Sequence, residues 1–294
     1  MTASTGRTVA VSGANGLLGR ALCEHLAREG FQVRALVRDT AAYPWKQPGI
    51  ERFRLSLPGE LDPAALKGAD VVIHAAYMTR FTNLAEAQRV NEEGTRQLLR
   101  ASREAGVPRF IFISSTSAHA EAESYYGRSK YGLERELDPA RDLALRPGLI
   151  IGDSGLFERM RSTIRKLPVV PVFGGGRQVI QTVHIEDLVR GIQVAIERGI
   201  TGTLTVAEPG GVTLRELFLS MAAQLGRRRF ILPLPYGPVL LALRLVEKLR
   251  LPLPVSSENL LGMRALRHVP SEADLARLGL RARSAAESLA NLPP

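Results

Sequence analysis

Three side chains in "SSTSAHAEAESYYGRSK", residues 114–130, have types and spacing suited to moving a proton at a carbonyl or alcohol oxygen. Tyr126 and Lys130 stand four residues apart in a predicted helix and so share a face. A phenol, with an ordinary pKa of about 10, is a poor acid or base near neutrality unless a cation stabilises its phenolate. Lys130 is placed to supply that charge and to lower the tyrosine pKa. Ser115 falls at the carboxyl end of the predicted preceding strand, where its hydroxyl would donate to a substrate carbonyl and polarise it. Tyr125 is the competing phenol, but four residues beyond it stands Ser129 rather than a lysine. Ser115, Tyr126 and Lys130 are therefore the expected catalytic set.

A second cluster, "SGANGLLG" at 12–19, spaces three glycines evenly: Gly13-Ala14-Asn15-Gly16-Leu17-Leu18-Gly19. A strand that turns straight into a helix leaves backbone N–H groups unpaired where the helix dipole favours negative charge, so a pyrophosphate fits there. Gly13 is expected to permit the tight turn, Gly16 to admit the diphosphate, and Gly19 to let the helix pack closely on the sheet. The G-x-x-G-x-x-G spacing differs from the G-x-G-x-x-G fingerprint, but its place between first strand and first helix points to a dinucleotide. The second strand then discriminates between cofactors. An acid at its tip would hydrogen-bond a ribose hydroxyl, whereas an arginine would accommodate a 2′-phosphate. The chain offers Arg38 followed by Asp39, with Arg34 on the same side of the strand by two-residue alternation. A guanidinium at the tip suits a phosphate monoester, so NADP(H) is expected ahead of NAD(H).

These residues need elements to hold them. "TVAVSG", "FQVRALVR", "ADVVIHAA", "RFIFISS" and "DLALRPGLIIG" read as strands, separated by helical patterns at "LLGRALCEHLAREG", "LAEAQRVNEEGTRQLLRASREAG" and "SYYGRSKYGLEREL". Such alternation predicts an α/β, doubly wound parallel sheet of Rossmann type with right-handed crossovers and ligands at the strand carboxyl ends. The expected division is a dinucleotide-binding domain over 1–150, to which 177–200 returns, and a smaller substrate or lid domain over 151–176 and 201–294. From "ILPLP" onward the chain reads as Pro-rich and helical.

Composition narrows the function classes. A formal charge of +10 would suit nucleic acid, but 34 of the 39 basic residues are arginines scattered among acids, and only Arg227-Arg228-Arg229 forms a block. No basic groove interleaved with aromatics is visible, so a small anionic ligand is the expected partner. Cys23, the single cysteine, excludes an intrachain disulfide and reads as a small core residue in a reducing, cytoplasmic compartment. No secretory signal is apparent. "YGPVLLALRLVEKLRLPLP" at 236–254 is the most apolar helical stretch, but Arg244, Glu247, Lys248 and Arg250 interrupt it short of the roughly 20 residues of a membrane span. It is expected to pack over the substrate side rather than lie at a membrane surface.

Taken with "VRALVRD", "VNEEGTRQLL", "YGRSK", "LRPGLIIG" and "VHIEDLVRGI", these motifs resemble the short-chain dehydrogenase/reductase superfamily, in its extended or atypical branch. That branch includes nucleotide-sugar epimerases and dehydratases and dihydroflavonol-reductase-like enzymes. The resemblance implies that Lys130 also holds the nicotinamide ribose, that Ala75 and Ala76 line the cofactor, that Asn91 supports the site, and that Pro147-Gly148-Leu149 pass the nicotinamide. It also implies a monomer or a homodimer through the helices at 84–105 and 125–137. Only 11 positions separate Ser115 from Tyr126, fewer than is usual in sugar-nucleotide epimerases, and His119-Ala120 stand where a Tyr-Gly pair is frequent. The short connection is similar to atypical members related to a respiratory-complex accessory subunit. No acidic adenine-contacting pair is recognisable in "RFRLSLPGELD".

The leading expectation is an NADP-dependent oxidoreductase that moves hydride between nicotinamide and a carbonyl or secondary alcohol of a small, hydrophobic or polycyclic substrate. The alternatives are a nucleotide-sugar epimerase or dehydratase that retains its cofactor, and a non-catalytic NADP-binding protein of assembly or redox sensing. His74 reads as a hydrogen-bonded core histidine. His184, Glu186 and Asp187 read as a helix start rather than a metal site, and Gly174-Gly175-Gly176 as a flexible loop.

Overall fold

A computed structural model describes residues 6–41, 48–249 and 256–292. The chain divides into two compact units, one of 1–114, 132–146 and 185–204, the other of 115–131, 147–184 and 205–294. The division is finer than the sequence suggests. The segment carrying Ser115, Tyr126 and Lys130 belongs with the second unit, and the return to the first begins at Ile185.

The first unit is built on an eight-stranded sheet. Its strands are β1 (Thr8–Ser12), β2 (Gln32–Val37), β3 (Ile50–Ser56), β4 (Glu60–Leu61), β5 (Val71–His74), β6 (Arg109–Ile113), β7 (Leu143–Pro147) and a last strand, Gly202–Val206. In space the last strand comes first, followed by β7, β6, β5, β1, β2, β3 and β4. The pairs β2–β3, β1–β2, β1–β5, β5–β6 and β6–β7 are parallel, and only β3–β4 is antiparallel among the pairs described. This is the α/β Rossmann-like sheet that the alternation predicts. Its winding reverses beside β1, so the loop leaving β1 sits at the switch point where such sheets bind ligands. Val9, Val11, Val72, Ile73, Phe110 and Ile111 are fully enclosed, as expected of parallel strands covered on both faces.

The helices are α1 (Leu17–Arg28), α2 (Leu84–Gln88), α3 (Gly94–Glu104), α4 (Tyr125–Glu134), α5 (Gly155–Lys166), α6 (Ile185–Glu197), α7 (Leu214–Gln224), α8 (Tyr236–Lys248) and α9 (Ser257–Arg264), with short helices at Glu272–Leu278 and Ala285–Ala290. A π-helical turn, Arg89–Glu93, joins α2 to α3. In the first unit α1 lies against α6, where His25 Nε2 and Gln193 Oε1 are 2.6 Å apart. Cys23 is fully buried in α1, and burial first, then Glu24, pushes its thiol well above the ordinary value. It is an inert core residue.

The second unit closes its own core around Phe157, Ile164, Val170, Val172, Leu217 and Met221. The predicted strand "DLALRPGLIIG" breaks at Gly148, and its second half, Leu149–Ile151, pairs in parallel with Thr182–His184 in a separate two-stranded sheet. Glu208 fastens this sheet. Its carboxylate accepts from the Thr182 hydroxyl at 2.6 Å and from the Ala285 amide at 2.9 Å, both buried.

One expectation fails in this unit. "ILPLP" does not itself open the helical region, because Phe230–Leu234 is a strand paired in parallel with Val169–Phe173, and the helices begin after it. Pro233 is tolerated in a strand with one partner, since no second ladder asks for its missing N–H. The amphipathic α8 follows, with no residue fully buried and with Leu243, Val246 and Glu247 half-buried. Arg250 to Pro254 lie outside the described residues. Gly174, Gly175 and Gly176 form a tight turn. All three have positive φ, and a Cβ on Gly176 would sit 2.9 Å from the Arg215 amide nitrogen.

Candidate active site

The glycine turn follows β1 directly. Gly13 has φ +69°, and a Cβ there would sit 2.6 Å from the Ala76 amide nitrogen, so only glycine lets this turn meet the end of β5. Ala75 and Ala76 thus stand against the turn. Gly16 donates to the Gly13 carbonyl at 2.9 Å and opens α1 without any side-chain cap, and the first helical turn contains no acid. Asn15 and Gly16 are exposed at the tip, Leu17 is partly exposed, and Leu18 is buried in the helix. Gly19 serves a different neighbour from the one expected. A Cβ there would collide with the Gly13 carbonyl and come within 2.8 Å of Ala14 Cα, so this glycine folds the helix onto its own turn. The arrangement fits a diphosphate: uncapped N–H groups, no competing carboxylate and a side-chain-free surface.

Beneath the turn runs a buried polar chain that only His74 hints at in the sequence. Ser12 Oγ lies 2.6 Å from His74 Nδ1, and His74 Nε2 lies 2.9 Å from Thr95 Oγ1. Thr95 donates to the Asn91 carbonyl, while the Asn91 side chain accepts from the Met78 amide at 2.6 Å and donates to its carbonyl at 3.0 Å. With Thr95 donating to Asn91, Nε2 is the ring donor toward Thr95. His74 is a hydrogen-bonded core residue beside Phe110 and Phe112. The π-helical turn carries Asn91, which is 1% exposed. Asn91 holds the segment after β5 in place.

At the tip of β2 the two arginines part company. Arg34 Nη1 donates to the carbonyls of Ala64, Ala65 and Lys67, at 3.2, 3.2 and 2.7 Å, and its guanidinium lies 5.7 Å from the Phe53 ring centroid. It fastens a turn in its own unit. Arg38 is exposed just past the strand, with no hydrogen bond or ion pair to another described residue. Asp39 caps the Ala41 amide at 2.9 Å.

In the second unit Ser115 follows β6 and is 9% exposed. Its hydroxyl accepts from the Ser117 amide at 3.1 Å. Tyr126 is partly exposed, and its hydroxyl is hydrogen-bonded to Ser115. Burial pushes the phenol above its ordinary value, and the Ser115 bond pulls the other way. Lys130 is 3% exposed one helical turn on. Gly127, between them, was not anticipated: a Cβ there would lie 2.5 Å from the Ser117 carbonyl oxygen and 2.8 Å from Ala122 Cβ. Its absence lets α4 start directly on the serine turn. Tyr125 is buried, and its amide donates to Glu258 at 2.5 Å. Pro147 and Gly148 are buried and Leu149 partly so. A Cβ on Gly148 would collide with the Gln181 carbonyl, and Leu149 donates to that same oxygen at 2.8 Å.

A sequence profile described as the NAD dependent epimerase/dehydratase family matches residues 9–206, more than half the chain. The chain belongs to this family. Among its relatives is a ceramide reductase of Caulobacter vibrioides, 33% identical over 252 residues that cover 81% of this chain and 77% of the relative. A ketoreductase of Stigmatella aurantiaca, named for 4-hydroxy-2-methyl-3-oxo-4-farnesyl-3,4-dihydroquinoline-1-oxide, is 29% identical over 81% of this chain and 79% of its own length. The fold agrees with that of MoeE5, solved with UDP-glucuronic acid and NAD, at a TM-score of 0.74 and 23% identity, covering 96% of each chain. It agrees also with the human epimerase family protein SDR39U1, solved with NADPH, at a TM-score of 0.72 and 20% identity over 97% and 100% of the two chains. The family depends on a nicotinamide dinucleotide, and the relatives support an oxidoreductase.

The remaining expected features have structural roles. His184 lies 2.8 Å from Arg283, Glu186 and Asp187 occupy the first turn of α6, and no cluster able to hold a metal exists among the described residues. His119 is buried, with Nε2 donating to the Ala265 carbonyl at 3.1 Å.

Proposed function

We propose that this chain is an NADP-dependent reductase of carbonyl groups on small hydrophobic molecules. The observation that carries this reading is the Tyr126 hydroxyl hydrogen-bonded to Ser115, with Lys130 buried one helical turn on. Relatives named as reductases favour a proton delivered to a carbonyl oxygen over one removed from a substrate hydroxyl. In this reading Ser115 orients the carbonyl oxygen and Tyr126 delivers the proton that makes it a hydroxyl. Lys130, one turn along the same helix, holds the nicotinamide ribose. The uncapped start of α1 takes the pyrophosphate, and Arg38 takes the 2′-phosphate. The bound dinucleotide supplies the hydride. Two reductase relatives named for ceramide and for a farnesyl-bearing quinoline oxide support a hydrophobic substrate.

Tyr126→Phe tests the assignment. Turnover on a panel of hydrophobic ketones should fall by about 10²- to 10⁴-fold, the range for loss of a positioned acid, while NADPH titrated by fluorescence binds as before. Full activity in the variant would remove Tyr126 from the chemistry. Turnover of wild type without net NADPH consumption would point instead to an epimerase.

A further inference from the structure

The outward face of α8 is apolar and cationic. At 100° per residue Leu241, Leu245 and Leu249 share one arc, and they are 63%, 57% and 70% exposed. Leu243, Val246 and Glu247 fall on the opposite arc and are less exposed. Glu247, the only acid of the helix, is turned to accept from the Ser257 amide at 2.6 Å and its hydroxyl at 2.7 Å. Arg244 and Lys248 are exposed and run along one edge of the leucine arc. The helix thus shows water three leucines, two cations and no acid.

The strand that leads into α8 repeats this composition. Phe230 stands opposite Val169 in register and Leu232 opposite Pro171, all four exposed, while Val170, Val172 and Ile231 face the core. Lys166 precedes one of these strands, and Arg227 and Arg228 precede the other, all exposed. Large apolar side chains held in water beside unopposed cations match the chemistry of an anionic bilayer: hydrocarbon below, phosphate at the rim. An acidic protein partner would answer the cations but not a full row of leucines lying flat.

We propose that α8 and the adjoining strand pair dock this protein peripherally on anionic phospholipid. No helix among the described residues is long and apolar enough to cross a membrane, so the contact is one of surface insertion.

Flotation of the full-length protein with vesicles tests the proposal, comparing pure phosphatidylcholine with phosphatidylcholine containing phosphatidylglycerol. Binding to the anionic vesicles should exceed binding to the neutral ones by about tenfold or more and weaken with salt. The triple variant Leu241→Ser, Leu245→Ser, Leu249→Ser should lose binding. Arg244→Glu with Lys248→Glu, which alters only exposed side chains, should cut it by about tenfold or more, at roughly fivefold per cation removed. Circular dichroism confirms that each variant folds, and the charge variant stands alone if the serine variant does not. No binding of wild type to anionic vesicles overturns the proposal, as does binding indifferent to both variants. A dimer in sedimentation velocity that the serine variant abolishes, without vesicle binding, also overturns it and makes the face an interface between copies.

Discussion

At the scale of single residues the proposed function turns on the acid–base character of Tyr126. Its pKa is raised, so the proton is retained below the ordinary phenol value of about 10 and lost only above it. A reaction that needs the protonated form should show kcat/KM level through neutral pH, with a basic limb beginning above about 10. A limb near pH 7 would show that another group governs the reaction. Arg38 makes a separate prediction. Removing a charged hydrogen-bond donor from a phosphate costs about 1.5–3 kcal/mol, so Arg38→Ser should weaken NADPH about 10- to 100-fold and leave NADH nearly unchanged. Paired cofactor titrations read the ratio. Equal losses for both cofactors would separate Arg38 from the 2′-phosphate. Arg34→Ser, by contrast, acts on the turn at Ala64–Lys67 and discriminates between the cofactors little.

Among elements, the contact between α4 and the serine turn depends on the missing side chain at 127. Gly127→Ala places a methyl group 2.5 Å from the Ser117 carbonyl oxygen, and overpacking of this kind costs about 1–3 kcal/mol. The melting temperature should drop, and turnover should drop with it because Tyr126 is the neighbouring residue on the displaced turn. Unchanged values for both would show that α4 has room to move. This element also marks what a sequence makes legible. Tyr126 and Lys130 are related by four residues of one helix, and the glycines by one turn, so local periodicity reveals them. Ser12 and His74 are 62 residues apart, and His74 and Thr95 are 21 apart. No local pattern joins such residues, and their polar chain becomes visible only when β1, β5 and α3 are assembled. Arg34 shows the same limit: alternation gives its side of the strand but not the carbonyls that await it. The Phe230–Leu234 strand is missed because Pro233 within it and Pro235 just after it merge it with the Pro-rich helical stretch that follows.

For the whole molecule, the important fact is that each unit closes a core of its own. Phe157 is fully buried in the second, and truncating a buried phenylalanine costs about 3–5 kcal/mol. In Phe157→Ala, amide exchange should therefore accelerate across 149–173 and 205–234 before it does in β1, β5 and β6. Equal acceleration everywhere would show one cooperative block. The parallel α/β sheet, its ligand-binding strand ends and the family were all legible, because strand–helix alternation and the motifs at strand ends repeat along the chain. The outward leucines of α8 were not, since an amphipathic pattern records that two faces differ but not which one meets water. The hydroxyls around His74 have a last consequence. In the neutral Nε2–H tautomer each hands its proton on in the same sense, from the Ala76 amide through Ser12, the imidazole and Thr95 to the Asn91 carbonyl. The floor of the cofactor turn is therefore a directed wire with a head and a tail, and a replacement that donates at both ends, or at neither, leaves one neighbour facing a proton like its own or no proton at all.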